Sequence, residues 1–241
     1  MAGCEVRLDR APHRDDDVLG RRNDALHEVD LEIEITMVDL VDDFALHDCF
    51  DLGEVDDIAC PLVHCARDKD VERLIATIND DAAAPDILVN NAGLFQLAPV
   101  DATSPEALAA AIEVNLVAPF RLIRALLPVM RLRGRGDIVN IGSIADHMAF
   151  PENAAYAASK HGLRALHDVM RAELRGTGVR VTLVSPGPVD TSLWDAIDPD
   201  SREGFTPRDR MLSADAVAAA VMYAITQPPE VDVELVRVSR S

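Results

Sequence analysis

Tyr156 and Lys160 stand four residues apart in the run Ala154-Ala155-Tyr156-Ala157-Ala158-Ser159-Lys160-His161-Gly162, and Tyr156 is one of only two tyrosines in the chain. On a helix that spacing puts both side chains on one face, so an ammonium can stand near the phenol or near whatever the phenol touches. A free phenol titrates at about 10 and is a poor base at neutral pH, whereas a neighbouring cation favours the phenolate. A lowering of two to three units corresponds to roughly 3–4 kcal/mol, within the range that a partly desolvated site supplies. Such a phenol can give a proton to, or take one from, an alcohol or carbonyl oxygen. A Tyr-Lys pair of this spacing also occurs as plain helix decoration, so the surrounding residues decide between the two readings.

The elements that must position this pair are legible from about Pro85 onward. Asp86-Ile87-Leu88-Val89-Asn90, Asp137-Ile138-Val139-Asn140-Ile141 and Val179-Arg180-Val181-Thr182-Leu183-Val184 are short apolar runs without alternation. Such runs suit parallel strands buried on both faces beneath helices. Ser104-Pro105 has the form of an N-cap followed by proline at the first helical position, and the pattern to about Arg133 is long enough for one helix or a broken pair. A second helix is predicted from about Asn153 to Arg175, stopped by Gly176 and Gly178, and a third from Ser213 to about Gln227, ended by Pro228-Pro229. Val233 to Val238 reads as a last strand. Strand and helix alternate, which predicts a doubly wound, Rossmann-like, mostly parallel α/β sheet, with residues 1–241 forming a single domain.

Composition narrows the partners. A chain of 241 residues with 49% hydrophobic side chains is long enough for one sizeable core. Its formal net charge of −19 argues against nucleic acid or anionic membrane as partner, since both demand a positive footprint. No run approaches the roughly 18 apolar residues of a membrane span, and the acidic N-terminal segment is not a signal peptide, so a cytoplasmic protein is expected. Cys4, Cys49, Cys60 and Cys65 are then expected as reduced thiols. The last three lie near His47 and His64 but lack paired C-x-x-C spacing, and no metal is expected.

The N-terminal third, above all residues 1–64, is written differently. Val29 to Thr36 alternates strictly, the mark of a strand with one wet, acidic face, which a central parallel strand should not show. Residues 1–70 hold 20 acidic and 7 basic side chains, so most of the net charge sits in less than a third of the chain. Order partly returns at Ile58–Cys65, a candidate strand, and at Val71, Leu74, Ile75 and Ile78, a helical apolar stripe.

Five motifs now accumulate in order: Asn90-Asn91-Ala92-Gly93 after a strand, Asn115 in Val114-Asn115-Leu116, Ser143 after a strand, Tyr156-x-x-x-Lys160, and Pro186-Gly187-Pro188-Val189-Asp190-Thr191. Together they resemble the classical short-chain dehydrogenase/reductase family over residues 85–241. The resemblance implies a catalytic set of Asn115, Ser143, Tyr156 and Lys160. In it Tyr156 is the general acid or base, Ser143 holds the substrate oxygen, Lys160 lowers the phenol's pKa and binds the nicotinamide ribose, and Asn115 holds a water linking Lys160 to solvent. It also implies cofactor contacts from Asn90, Ala92, Gly93, Tyr156, Lys160, Pro186, Gly187, Val189 and Thr191, with NAD or NADP as cofactor and no basis for choosing between them. A small alcohol or carbonyl compound as substrate and a homodimer or homotetramer are further implications. His147 is a candidate substrate contact or an ordinary loop histidine, and the segment from Ser192 to Arg210 reads as a lid. Phe95, Phe150 and Trp194 suggest an apolar component of the substrate.

One part of the pattern is missing. The family's first strand leads into a glycine-rich turn that receives the cofactor pyrophosphate on backbone N–H groups. Before Asn90 the only glycines are Gly3, Gly20 and Gly53, too far apart to form it, and after Cys65 the first acid arrives late, at Asp68. The N-terminal pattern is that of a strongly diverged half or of an altered reading frame. Two readings therefore stand: an NAD(P)-dependent oxidoreductase, and a non-catalytic or cofactor-deficient relative of one.

Overall fold

The structure is a computed structural model that describes residues 35–38, 75–76 and 85–241. Its centre is a five-stranded sheet, β1 (Ile35–Val38), β2 (Ile87–Asn90), β3 (Gly136–Ile141), β4 (Val179–Pro186) and β5 (Leu235–Val238), in the order β1-β2-β3-β4-β5. Every neighbouring pair is parallel, with Leu88 opposite Ile138 and Val139 opposite Thr182. β2 and β4 are buried along their whole length, and β3 nearly so, as their unalternating apolar runs predict. The strand expected at Val29–Thr36 meets β1 at its end, where Ile35 and Thr36 pair with Ile87 and Leu88; β1 is the outermost of the described strands. The expected strand at Ile58–Cys65, the cysteines and the three early glycines lie outside the described residues.

The predicted helical stretch after Ser104 is a broken pair. Ser104 caps α1 (Pro105–Ile112), its hydroxyl oxygen accepting the Ala107 N–H at 3.1 Å. A π-helical turn, Glu113–Val117, then joins α1 to α2 (Ala118–Arg133). Pro119 has no N–H to continue the regular ladder, which fits a change of hydrogen-bond pattern immediately before it. Gly134 ends α2 at φ 66°, and Arg133 and Arg135 beside it both approach Asp86, just before β2.

α3 (Ala154–Glu173) buries Ala155, Ser159, Lys160, Leu163, His167 and Met170, a stripe at helical spacing that includes the lysine. The turn into β4 depends on Gly178, at φ +79°, where a Cβ would come within 1.8 Å of the Gly134 carbonyl oxygen.

Two cores fill the two faces of the sheet. Leu122, Leu126 and Met130 of α2 and Met170 of α3 pack with Leu88, Ile138 and Val181, and Ile75 joins them. Val217, Val221 and Ile225 of α4 (Ala214–Ile225) pack with Ile87, Val89, Val139 and Val184. All connections step the same way along the sheet, yet α4 lies on the face opposite α2 and α3. Residues 187–213 must therefore cross over the carboxyl ends of the strands, where ligands bind in open α/β sheets. Among the described residues no helix is long and apolar enough to cross a membrane.

Candidate active site

Four local features bring the site together beneath that crossing segment. Ser143 leaves β3 through Gly142 and caps a 3-10 turn, Ile144–Asp146, its Oγ accepting the Ala145 N–H at 3.2 Å. Tyr156 and Lys160 occupy the first two turns of α3, and the Ser143 side chain stands near enough to the Tyr156 phenol to lower its pKa. Lys160 Nζ donates to the Ile141 carbonyl at 2.8 Å and lies 5.7 Å from the centre of the Tyr156 ring. Asn115 sits in the π-helical turn, fully buried. It accepts the Leu94 N–H at 2.7 Å and donates to the Leu94 carbonyl at 2.9 Å and to Ser159 Oγ at 2.8 Å. The turn thus ties the segment after β2 to the Tyr-Lys helix. Gly162 permits this, because a Cβ there would stand 2.8 Å from Leu116 Cδ2, next to Asn115.

The electrostatics differ from the expectation that Lys160 lowers the phenol. Burial pushes Tyr156 up to about 12; the Ser143 side chain works against this and the Asp146 carboxylate adds to it. Burial likewise pulls Lys160 down to about 8, with Asp146 opposing. The reason is geometric: the ammonium donates to the Ile141 carbonyl and lies over the ring, 5.7 Å from its centre, and desolvation is the largest cause for both groups. At neutral pH the phenol is protonated and fit to donate.

Asp146 is the residue the motifs did not announce. It is 1% exposed, and its Oδ2 accepts from the Ser185 hydroxyl and from the Ser143 N–H at 3.4 Å. Its Oδ1 accepts from Arg164 Nη1 at 3.1 Å and pairs with His147 Nδ1 at 2.7 Å. Burial alone would raise its pKa, but the hydrogen bonds from Ser185, His147, Arg164 and Ser143 outweigh it and hold the carboxyl below its usual value. A sequence signal did exist: Ser143-Ile144-Ala145-Asp146 has capping-box spacing, and the reciprocal bonds are present. His147 is spent on Asp146 and is not among the residues lining the cavity.

That cavity has a volume of about 750 Å³. Ala92, Gly93, Ser143, Tyr156, Lys160, Pro186, Gly187, Val189 and Thr191 all line it, so the structure gathers most of the expected catalytic and cofactor-contacting residues around one space. Asn90 and Asn115 stand behind its wall. Asn90 Nδ2 donates to Asn140 Oδ1 at 2.8 Å, across strands that pair these two residues in register. Phe95, Phe150 and Trp194 line the cavity too. Phe95 makes edge contacts with Tyr156 at 4.8 Å and with Trp194 at 5.0 Å, and Trp194 Nε1 donates to the Val189 carbonyl at 2.9 Å. The segment from Ser192 to Arg210 consists of three short 3-10 turns and coil, held by Arg208, which pairs with Asp190 at 2.9 Å and with Asp195.

The described residues suit the nicotinamide end of a dinucleotide. Lys160 uses one of its three donors on Ile141 and lines the cavity, which leaves two for ribose hydroxyls. Gly93 keeps the wall low beside it: a Cβ there would lie 4.0 Å from Lys160 Nζ and 3.8 Å from Asn115 Oδ1.

A parallel sheet covered on both faces, with a Ser-Tyr-Lys set at the carboxyl ends of its strands, defines a doubly wound protein of the Rossmann-like class. Residues 51–202 match the short chain dehydrogenase family, and the chain belongs to that family of oxidoreductases. An uncharacterized oxidoreductase of Staphylococcus saprophyticus is 33% identical over 179 residues, 73% of either chain. Among solved structures, 4-hydroxyisoleucine dehydrogenase complexed with NADH superposes with a TM-score of 0.68 at 26% identity, over 86% of this chain and 97% of the other. A gluconate 5-dehydrogenase from Burkholderia cenocepacia, in complex with NADP and tartrate, gives 0.69 at 25% identity, over 85% and 93%.

Proposed function

We propose that the protein interconverts an alcohol and a carbonyl compound by hydride transfer, using NAD or NADP. The observation that carries this reading is that Ser143, Tyr156 and Lys160 line one cavity, with Lys160 Nζ 5.7 Å from the centre of the Tyr156 ring. The nicotinamide cofactor supplies the hydride donor or acceptor when bound, while the protein supplies orientation and the proton. In carbonyl reduction Tyr156 Oη gives its proton to the carbonyl oxygen and Ser143 Oγ holds that oxygen in place. In alcohol oxidation the proton returns to Tyr156. Lys160 holds the ribose hydroxyls with its remaining donors. Both side-chain N–H groups of Asn115 are engaged, so Asn115 acts by positioning the Leu94 segment against Ser159. A water between it and Lys160 would use its backbone carbonyl.

One observation favours a second reading, a cofactor-deficient relative. Before Asn90 the chain has only Gly3, Gly20 and Gly53, and no glycine-rich turn for a pyrophosphate. The experiment that separates the two is a titration of the purified protein with NADH and with NADPH, following nucleotide fluorescence and melting temperature together. Micromolar binding with a raised melting temperature supports the enzyme. A cooperative melt unmoved by either nucleotide supports the rival.

A further inference from the structure

One stretch of the cavity wall is unlike the rest. Arg202, in the segment after β4, lies with its guanidinium carbon 4.7 Å from the centre of the Phe205 ring and donates through Nη2 to Glu152 Oε2 at 2.9 Å. All three residues line the cavity that holds Tyr156. Phe205 makes an edge contact with Trp194 at 6.4 Å, so a continuous aromatic wall, Phe205-Trp194-Phe95-Tyr156, runs from Arg202 to the phenol. Among the described residues lining the cavity the cations are Lys160, whose remaining donors the proposed function gives to the ribose, and Arg202.

Glu152 is held in place at a cost. Its φ of 62° is left-handed, which side chains other than glycine adopt rarely, and the Ala98 N–H fixes its carbonyl at 2.8 Å. The Glu152–Arg202 pair is 36% and 38% exposed on its two side chains, and an ion pair that open contributes little to stability. It is therefore an easily displaced pair, carried on a residue of left-handed backbone. Next to it, Asn153 lines the same cavity at 6% exposure, and its side-chain oxygen has no partner. A chain with a formal net charge of −19 repels anions, so an anionic substrate needs a dedicated cation at the site.

We propose that Arg202 is a carboxylate-binding residue and Glu152 its placeholder: the substrate is a hydroxy or oxo acid with an apolar body. Its reacting oxygen lies at Tyr156 and Ser143, its body lies along Phe95, Trp194 and Phe205, and its carboxylate replaces Glu152 on the Arg202 fork. Arginine suits this because its planar donors match a carboxylate while its face stays on the Phe205 ring. The assignment rests on the oxidoreductase reading for the identity of the reacting oxygen, but the carboxylate site can be tested without turnover.

Heptanoate and heptanamide are titrated calorimetrically into the full chain, with and without NADH or NADPH, using wild type, Arg202→Gln and Glu152→Gln. The wild type is expected to bind heptanoate about tenfold or more tightly than heptanamide. Arg202→Gln erases that preference and leaves heptanamide binding and the melting temperature unchanged. Glu152→Gln, which frees the guanidinium, strengthens heptanoate binding severalfold. Equal binding of acid and amide by the wild type, a preference that survives Arg202→Gln, or binding of neither probe would overturn the assignment. Turnover of 6-hydroxyheptanoate against its methyl ester gives the second reading of the same site, and kcat/KM is expected to follow the same order. Carboxylate-selective binding without turnover of either compound would support the Arg202 site and sink the oxidoreductase reading instead.

Discussion

Asp146 stands behind Ser143 and holds it from the main chain: its Oδ2 accepts the Ser143 N–H at 3.4 Å, while the Ser143 side chain lines the cavity with Tyr156. The same carboxylate binds Ser185 of β4 and Arg164 of α3, so the strand-end turn carrying Ser143 is tied to both neighbouring elements. The placing of Ser143 is thereby tied to a residue that is not among those lining the cavity.

Asp146→Asn is expected to destabilise the fold by about 2–4 kcal/mol in urea unfolding, because one amide cannot accept from donors on both sides of the group. The folded pKa of Asp146 is lowered, so its contribution is complete above the usual carboxyl value of 3.8 and is lost as pH falls through the lower folded value. The stability difference between wild type and variant should accordingly shrink on acidification below 3.8. A constant difference down to the acid transition would count against the network.

Tyr156→Phe removes the proton donor and little else, since the ring keeps its contact with Phe95. Loss of kcat by about 10² to 10⁴ with nucleotide affinity within twofold is expected from rapid-quench or steady-state kinetics. Retained turnover would remove Tyr156 from the chemistry.

Lys160 carries a pH signature. Its pKa is pulled from 10.5 to about 8 in the fold, so between those values the unfolded chain binds more protons and stability from this group rises with pH. Comparing wild type with Lys160→Met by urea unfolding, the difference should move in favour of the wild type by about 3 kcal/mol between pH 8 and 10.5. The raised phenol of Tyr156 acts oppositely above pH 10 but is common to both proteins. A flat difference would show that the ammonium keeps its ordinary value.

Arg180, 8% exposed in β4, clamps the end of α4 to the sheet. It donates to Asp137 at 2.7 Å and to the carbonyls of Ile225, Gln227, Pro228 and Val231. Arg180→Met leaves a partly buried carboxylate and four carbonyls without this donor. A loss of about 3–5 kcal/mol is expected, measured by urea midpoint at unchanged slope.

The parts of the fold that were legible in the sequence are those governed by short-range rules. Ile87–Asn90, Gly136–Ile141 and Val179–Pro186 could be recognised as doubly buried strands because burial on both faces removes polar alternation. The helix holding Tyr156 and Lys160 could be recognised by its spacing and by the glycines that end it. The break at Glu113–Val117 was half visible, as a stretch long enough for two helices, but its π-helical form depends on how Asn115 and Leu116 dock on α3.

The sequence by itself determined which residue types meet at the strand ends: a phenol, a hydroxyl and an ammonium at fixed separations along the chain. Only the tertiary structure decided how they are oriented and charged. Lys160 faces Ile141, nineteen residues away, and Asp146 meets Ser185, thirty-nine away, while Glu152 reaches Arg202 across fifty. Spacing reports local geometry, because backbone sterics act over a few residues. Desolvation and ion pairing are set by whatever the folded chain brings alongside, so the high pKa of Tyr156, the buried Asp146 and the Arg202–Glu152 pair emerge only when the strands and the segment after β4 are in place.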